Sequence, residues 1–98
     1  MLLKESEIII QSISKEIEII TKRISAINNV YYKTSNLALK KRLIKEYINL
    51  KSKFEEINYK ITLFKIKNKE NISYSSILME NYYRCEKLID KNNNLFFV

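Results

Sequence analysis

The chain has 98 residues and a formal net charge of +7, and it contains no glycine, no proline, no histidine and a single cysteine. This length suits one domain, because an independent hydrophobic core usually needs on the order of 100 residues. Many-turned β folds and glycine-rich phosphate loops depend on glycine and proline, so the composition argues against both. We therefore predict an all-α protein with few turns.

Apolar residues recur at spacings of three and four through the first third of the chain, as on one face of an α-helix. This first seam consists of Ile10, Ile13, Ile17, Ile20, Ile24, Ile27 and Tyr31. It predicts a first helix over about residues 4–31. The cluster from Lys33 to Asn36 then interrupts the pattern, and its serine and asparagine side chains suit a turn and the cap of a following helix. We expect the chain to reverse direction at this point.

A second seam with the same spacing follows the bend and predicts a second helix over about residues 36–67. It consists of Leu43, Tyr47, Leu50, Phe54, Ile57, Ile61 and Phe64. Two further apolar sets lie off the seams, namely Ile8, Ile9 and Ile19 on the first helix and Tyr59, Leu63 and Ile66 on the second. In an antiparallel hairpin both sets lie at the end away from the bend, so we predict that a third helix docks on them.

The third helix is predicted over about residues 74–91, with an apolar stripe of Leu78, Tyr82, Cys85 and Ile89. Because it is shorter than the other two, we expect it to leave the end of the hairpin at the bend uncovered. The run Asn92 to Asn94 is expected to end this helix. Leu95, Phe96, Phe97 and Val98 would then form an apolar tail that folds back on the bundle or inserts into a partner.

These elements predict one domain, a long antiparallel coiled-coil-like helical hairpin with a shorter third helix, in other words a three-helix bundle. Isoleucine at both core positions of a heptad favours three or more strands. A dimer of hairpins, with four helices, would also satisfy that preference and remains the alternative arrangement.

Basic residues concentrate on the second helix and its flanks. Residues 31–69 carry eleven basic and three acidic residues, a local charge of +8, whereas residues 1–30 balance to zero. We expect part of this surplus to form ion pairs across the hairpin. The predicted cations are Lys51, Lys53, Lys60, Lys65 and Lys67, and their predicted partners are Glu7 and Glu16. The densest cluster, Lys40, Lys41, Arg42 and Lys45, lies near Tyr31 and Tyr32, and nucleic-acid contacts often combine aromatic and basic side chains in this way.

A second explanation of the basic surplus is compositional. Fifteen of the eighteen basic residues are lysines, and the chain is also rich in isoleucine and asparagine, all of which have AT-rich codons. Bidentate phosphate recognition favours arginine, which is scarce. The surplus can thus reflect codon bias and a solvated helix face.

Enzymatic function is not expected, because the chain lacks histidine, the usual general base near neutral pH. We interpret Cys85 as a small core residue of the third helix, and we expect no cofactor, no metal and no small-molecule substrate. A single cysteine fits a reducing, cytoplasmic location. The longest apolar runs are far below the roughly 20 residues of a membrane span, so none is predicted.

The predicted function is a non-enzymatic protein-interaction module, acting as a scaffold, an adaptor or an accessory subunit of a larger complex, or through self-association. Helix surfaces near the bend and the tail of Leu95, Phe96, Phe97 and Val98 are the predicted partner contacts. The alternative is a basic accessory protein of RNA or of a ribosome-like particle, which binds phosphates through Lys40, Lys41, Arg42 and Lys45.

Overall fold

The computed structural model describes the backbone of residues 5–67 and 72–96 and the side chains of residues 8–63 and 77–96. The described residues form three helices, α1 (Glu5–Lys33), α2 (Leu37–Lys67) and α3 (Ile72–Phe96). α2 runs antiparallel to α1, and α3 runs parallel to α1 in a bundle that measures 52 × 26 × 17 Å. The predicted all-α fold class, a three-helix bundle, is confirmed.

The bend between α1 and α2 occupies residues 34–36, within the predicted cluster. The Thr34 backbone N–H donates to the Val30 carbonyl at 3.0 Å and completes α1. The Thr34 hydroxyl oxygen then accepts the Asn36 N–H at 3.1 Å, and the Asn36 side-chain oxygen accepts the Leu39 N–H at 3.2 Å. Asn36 is therefore the N-cap of α2. Short polar side chains make this reversal without glycine, and no described residue has a positive φ.

The two seams and the α3 stripe meet in one apolar core. Its buried members are Ile10, Ile13, Ile17, Ile20, Ile24, Ile27, Tyr47, Leu50, Phe54, Ile57, Ile61, Leu78, Tyr82, Cys85 and Ile89. Leu43 packs against this core and is partly buried. The Phe64 side chain lies outside the described residues. The structure confirms that the seams of α1 and α2 face each other within one molecule.

The three helices are not equally spaced. α1 packs closely against both α2 and α3, whereas α2 and α3 approach each other less closely. Aromatic rings fill the space between these two helices: Phe54 stacks on Tyr82 with centroids 5.1 Å apart, and Tyr47 meets the edge of Phe96 at 5.3 Å. Because the contacting side chains set the distance between helix axes, compact isoleucines allow close packing and aromatic rings hold helices apart.

The predicted docking site of the third helix is wrong. Ile8, Ile19, Tyr59 and Leu63 remain 45 to 68% exposed, and Ile9 is 41% exposed. Ile8, Tyr59 and Leu63 are each two residues from the nearest described buried seam residue, or about 200° around the helix from it, whereas Ile19 is one residue, or about 100°, from Ile20. α3 packs on the seams themselves and leaves these off-seam residues in solvent. The Ile66 side chain lies outside the described residues.

The predicted end of the third helix is also corrected, because α3 continues through Asn92–Asn94 to Phe96. It therefore reaches the bend, and the expected two-helix region at that end does not exist. Asn92 is fully buried and forms a reciprocal amide pair with Asn28 of α1, with N···O distances of 2.9 and 2.8 Å. An asparagine run read as a helix end is thus part of the α1–α3 interface.

The amide pair should behave as a coupled unit in mutants. Asn92→Leu leaves the Asn28 amide without its partner, so we expect a loss of about 1–3 kcal/mol in the free energy of unfolding. Asn28→Leu should lower the free energy of unfolding by a similar amount, because each change leaves the other amide without its hydrogen-bond partner.

The double variant Asn28→Leu/Asn92→Leu removes both polar groups and should lose clearly less than the sum of the single changes. Urea denaturation of the four proteins measures this coupling. Additive losses would show that the two amides do not stabilise each other.

Candidate interaction surfaces

The C-terminal end of α3 is tied to the other two helices. The Tyr47 hydroxyl donates toward the Asn93 side-chain oxygen at 2.7 Å and the Ile89 carbonyl oxygen at 3.0 Å. Phe96 is partly buried against the core and lies with its ring centroid 4.8 Å from that of Tyr31. Polar and aromatic contacts therefore anchor the last described turn of α3 on α1 and α2.

These contacts change the predicted partner-binding tail. Phe96 is part of the bundle, and Leu95, on the last turn of α3, is 48% exposed. Phe97 and Val98 lie outside the described residues. Of the predicted tail, Leu95 is the residue that the structure shows to be available to a partner, and it stands on a helix.

Burial keeps the two core tyrosines and the cysteine in their neutral forms. Burial raises the pKa of Tyr47 from 10.0 to about 12, with smaller contributions from Asp90 and Cys85. Burial likewise raises the pKa of Tyr82 to about 12, with a smaller contribution from a hydrogen bond to Glu86. Burial raises the pKa of the Cys85 thiol, and a hydrogen bond with Thr21 opposes that rise. The interpretation of Cys85 as a core residue is confirmed by its complete burial.

The predicted basic cluster lies at the bend, with its members in different surroundings. The Lys40 ammonium lies over the Tyr31 ring, 5.0 Å from its centroid, and Lys40 is partly buried. Lys41, Arg42 and Lys45 are exposed. The structure therefore keeps three of the four predicted cations open to an anionic ligand and uses the fourth in a cation–π contact.

The cluster belongs to a longer cationic segment. Residues 19–45 contain seven basic residues and no acidic residue, so their local charge equals the net charge of the whole chain. This segment comprises the second half of α1, the bend and the start of α2. The positive field is thus concentrated on the half of the bundle that contains the bend, where it would steer anionic partners.

The predicted ion pairs of Lys51, Lys53 and Lys60 with Glu16 do not form. The side chains of Glu7, Lys65 and Lys67 lie outside the described residues. Among the described residues, the salt bridges are Lys22–Glu18 and Arg84–Glu80, both within one helix and both exposed. Lys53 and Lys60 instead line a groove between α1 and α2, where Glu16 lies on the same rim without pairing with them. Lys53 and Lys60 are therefore exposed to solvent without a carboxylate partner among the described residues.

This α1–α2 groove has a volume of about 410 Å³. Ile20, Leu50 and Ile57 form its apolar floor, and Ile19 stands at its edge, 55% exposed. Arg23, Lys53, Lys60, Glu16 and Glu56 line the rim. Sequence reasoning missed the groove, although the off-seam position of Ile19 beside charged neighbours was a usable signal.

Other exposed apolar residues form strips on the outer helix faces. On α2, Ile48, Tyr59 and Leu63 are 46, 68 and 45% exposed. Their spacings of eleven and four keep them within about 60° of one another around the helix. We call these three residues the α2 strip. On α1, Ile8, Ile19 and Val30 are similarly exposed, at spacings that again keep them on one side of the helix.

The described residues contain no group of three or more Cys, Asp or Glu side chains placed to hold a metal ion. In the part of the chain that the structure describes, no helix has the length and apolar character needed to cross a bilayer. Comparison of the chain with protein-family models, with curated proteins and with solved structures found no match. Its function must therefore be inferred from its own surfaces.

The buried hydroxyl of Tyr47 should make stability fall at high pH. In the unfolded chain Tyr47 ionises near pH 10, whereas the folded protein keeps its proton until about pH 12. The folded state therefore binds more protons between these values, and its stability decreases as the pH rises, by up to about 1.4 kcal/mol per pH unit for this one group.

The comparison of wild type with Tyr47→Phe isolates this effect from lysine titration. We expect the variant to be less stable by about 1 kcal/mol at pH 7, because it loses the hydroxyl hydrogen bond. Between pH 10 and 12 that advantage of the wild type should shrink and then reverse. Tyr59→Phe, at a 68% exposed position, is the matched control and should follow the wild-type profile. A difference between wild type and Tyr47→Phe that does not vary with pH would contradict the prediction.

Proposed function

We propose that this protein is a non-enzymatic interaction module, a scaffold, adaptor or accessory subunit that binds a partner protein through the outer faces of its helical hairpin. The observation that supports this proposal is the pair of apolar strips on α1 and α2. The described core does not include them, because it is formed by the seam residues of α1 and α2 and by the stripe of α3. Neighbouring side chains of each strip are up to about 16 Å apart along the helix axis, and a partner helix that lies along the strip could bury them together.

Helical geometry adds support to this role. Two long antiparallel helices hold their exposed side chains at fixed positions along the rod, so residues on one side of a helix can contact the same partner helix. Tyr59 is an amphipathic residue of the type that is enriched at interfaces, because its ring supplies apolar area and its hydroxyl can still bond to water or to the partner.

The cationic segment of residues 19–45 favours a second candidate function, the binding of RNA phosphates. Lys41, Arg42 and Lys45 are exposed, and none of them forms an ion pair within the part of the chain that the structure describes. Tyr32, at the end of α1 next to the bend, is 59% exposed, so its ring could stack on an unpaired base. This candidate uses the bend, whereas the first uses the helix faces.

Site-specific photo-crosslinking tests the interaction module. A photoreactive residue at Ile48 or at Tyr59, in the full chain expressed in its native cells, should give adducts with a defined protein, because the α2 strip would lie against the partner. The same residue at Lys87, an exposed polar position on α3, is the matched control and should give few adducts. Denaturing gels and mass spectrometry identify the adducts. Adducts with nucleic acid alone, or none at Ile48 and Tyr59, would refute this function.

A salt series tests the RNA candidate. If the bend binds phosphates, the affinity for a single-stranded RNA of about 20 nucleotides, measured by fluorescence anisotropy, should fall steeply with salt. The variant Lys41→Ala/Arg42→Ala/Lys45→Ala removes three contacts and should reduce the slope of log K against log salt by about 2.

The control for that series is Lys51→Ala/Lys53→Ala/Lys60→Ala, which removes the same charge from positions farther along α2. It should leave the slope nearly unchanged. A flat salt response, or equal effects of the two triple variants, would count against a specific phosphate site at the bend.

A further inference from the structure

The α1–α2 groove opens on the side of the hairpin away from α3. Thr21 faces α3, because it lines a groove together with Asn81 and Arg84 of that helix. Arg23, two residues later, lies about 200° around the helix and lines the groove. The groove therefore lies between α1 and α2 on the face of the hairpin that α3 does not cover. A helix seated there would pack on both α1 and α2.

The floor and edge of the groove are apolar, and they fit one side of a helix. Ile20, Leu50 and Ile57 are almost fully buried by the hairpin itself, so the accessible apolar contact is Ile19 together with the hydrocarbon stems of the rim lysines. The lining extends on α2 from Leu50 to Lys60, or about 15 Å along the helix axis. That length corresponds to nearly three turns of a bound helix.

The rim charges select the partner. Arg23, Lys53 and Lys60 supply three positive charges against Glu16 and Glu56, and no salt bridge joins α1 to α2 among the described residues. The rim cations are therefore available to carboxylates of a partner. The groove itself is only weakly positive, but it adjoins the cationic segment of residues 19–45, which extends the positive field along one end.

We propose that the α1–α2 groove binds an amphipathic helix of an acidic partner protein. This inference rests on the proposed function and names the partner class. The apolar stripe of the bound helix packs on Ile19 and on the hydrocarbon stems of the rim lysines. Its flanking carboxylates pair with Arg23, Lys53 and Lys60. Glu16 and Glu56 disfavour a uniformly anionic ligand, so the observations favour a helix with an apolar stripe over a phosphate backbone.

The other grooves are less suited to an acidic helix. The groove of about 560 Å³ between α1 and α3 includes the balanced charges of Lys15 and Glu18. A smaller groove farther along the same two helices contains Lys22 and Arg84, both of which are already paired with glutamates of their own helices. Among the described grooves, the α1–α2 groove has more unpaired cations, namely Arg23, Lys53 and Lys60, whereas the larger α1–α3 groove has Lys15 alone.

A designed peptide of about 21 residues is the probe, with leucine at heptad positions a and d and glutamate at e and g. The full chain should bind it more tightly than a matched peptide with lysine at e and g. Calorimetry or anisotropy measures both affinities. Lys53→Glu/Lys60→Glu should weaken binding of the glutamate peptide about tenfold or more, and Glu16→Lys/Glu56→Lys should tighten it.

The matched control is Lys41→Glu/Arg42→Glu, which changes the net charge by the same amount at the bend. It should weaken binding less than threefold, since it alters only long-range steering. Ile19→Asn should also weaken binding, because it replaces the exposed apolar contact by an amide. Circular dichroism and urea denaturation establish that each variant is folded before its affinity is compared.

Equal losses in the two charge-reversal variants, or equal affinity for the two peptides, would overturn the groove proposal. If the single-stranded RNA displaces the peptide from the wild type, and Lys53→Glu/Lys60→Glu abolishes RNA binding, the groove binds phosphate and the groove proposal is overturned.

If any of these results is found while photo-crosslinking at Tyr59 still gives protein adducts, the groove proposal is refuted and the interaction module is not. If protein adducts were also lacking, the interaction module would be refuted with it.

Discussion

The isoleucine seam of α1 is the constraint on which the bundle depends. Its six isoleucines, from Ile10 to Ile27, are at most 5% exposed, and both α2 and α3 pack against them. Compact β-branched side chains let both helices approach α1 closely, while the aromatic rings of α2 and α3 fill the wider space between those two. The core is therefore centred on one helix, and the outer faces of α1 and α2 are free for other contacts.

A polar layer near the bend complements this apolar core. A regular isoleucine seam can accommodate a neighbouring helix in more than one register, because its side chains repeat. The Asn28–Asn92 amide pair and the bond from Tyr47 to Asn93 have partners in one register alone. A shift of α3 along its axis would leave buried amides and a hydroxyl without hydrogen-bond partners, which would lower the stability of the fold. This layer accounts for the position of α3 and for the attachment of its last turn.

The surface of the protein divides into regions of different chemistry. The bend half carries the cationic segment of residues 19–45. The α1–α2 groove combines a weakly positive rim with an apolar floor, and the α2 strip consists of two aliphatic residues and one tyrosine. Long-range attraction depends on the first region, whereas short-range packing depends on the other two. A partner with acidic and apolar residues on one helix would use both kinds of interaction.

The sequence by itself determined the helices, their buried faces and the bend. The spacing of three and four defines the helix face that must be buried, and Thr34 and Asn36 act through hydrogen bonds to nearby backbone groups.

Tertiary structure alone decided where α3 docks, how far it extends and which cations remain unpaired. An asparagine run indicates a helix end when its amides must find local partners, but Asn92 finds Asn28 on another helix. Likewise, the sequence suggests an ion pair between Lys53 and Glu16. The arrangement of the two helices instead places both side chains on the rim of the groove without an ion pair between them. Local periodicity cannot encode such distances, because they depend on how whole helices are positioned relative to one another.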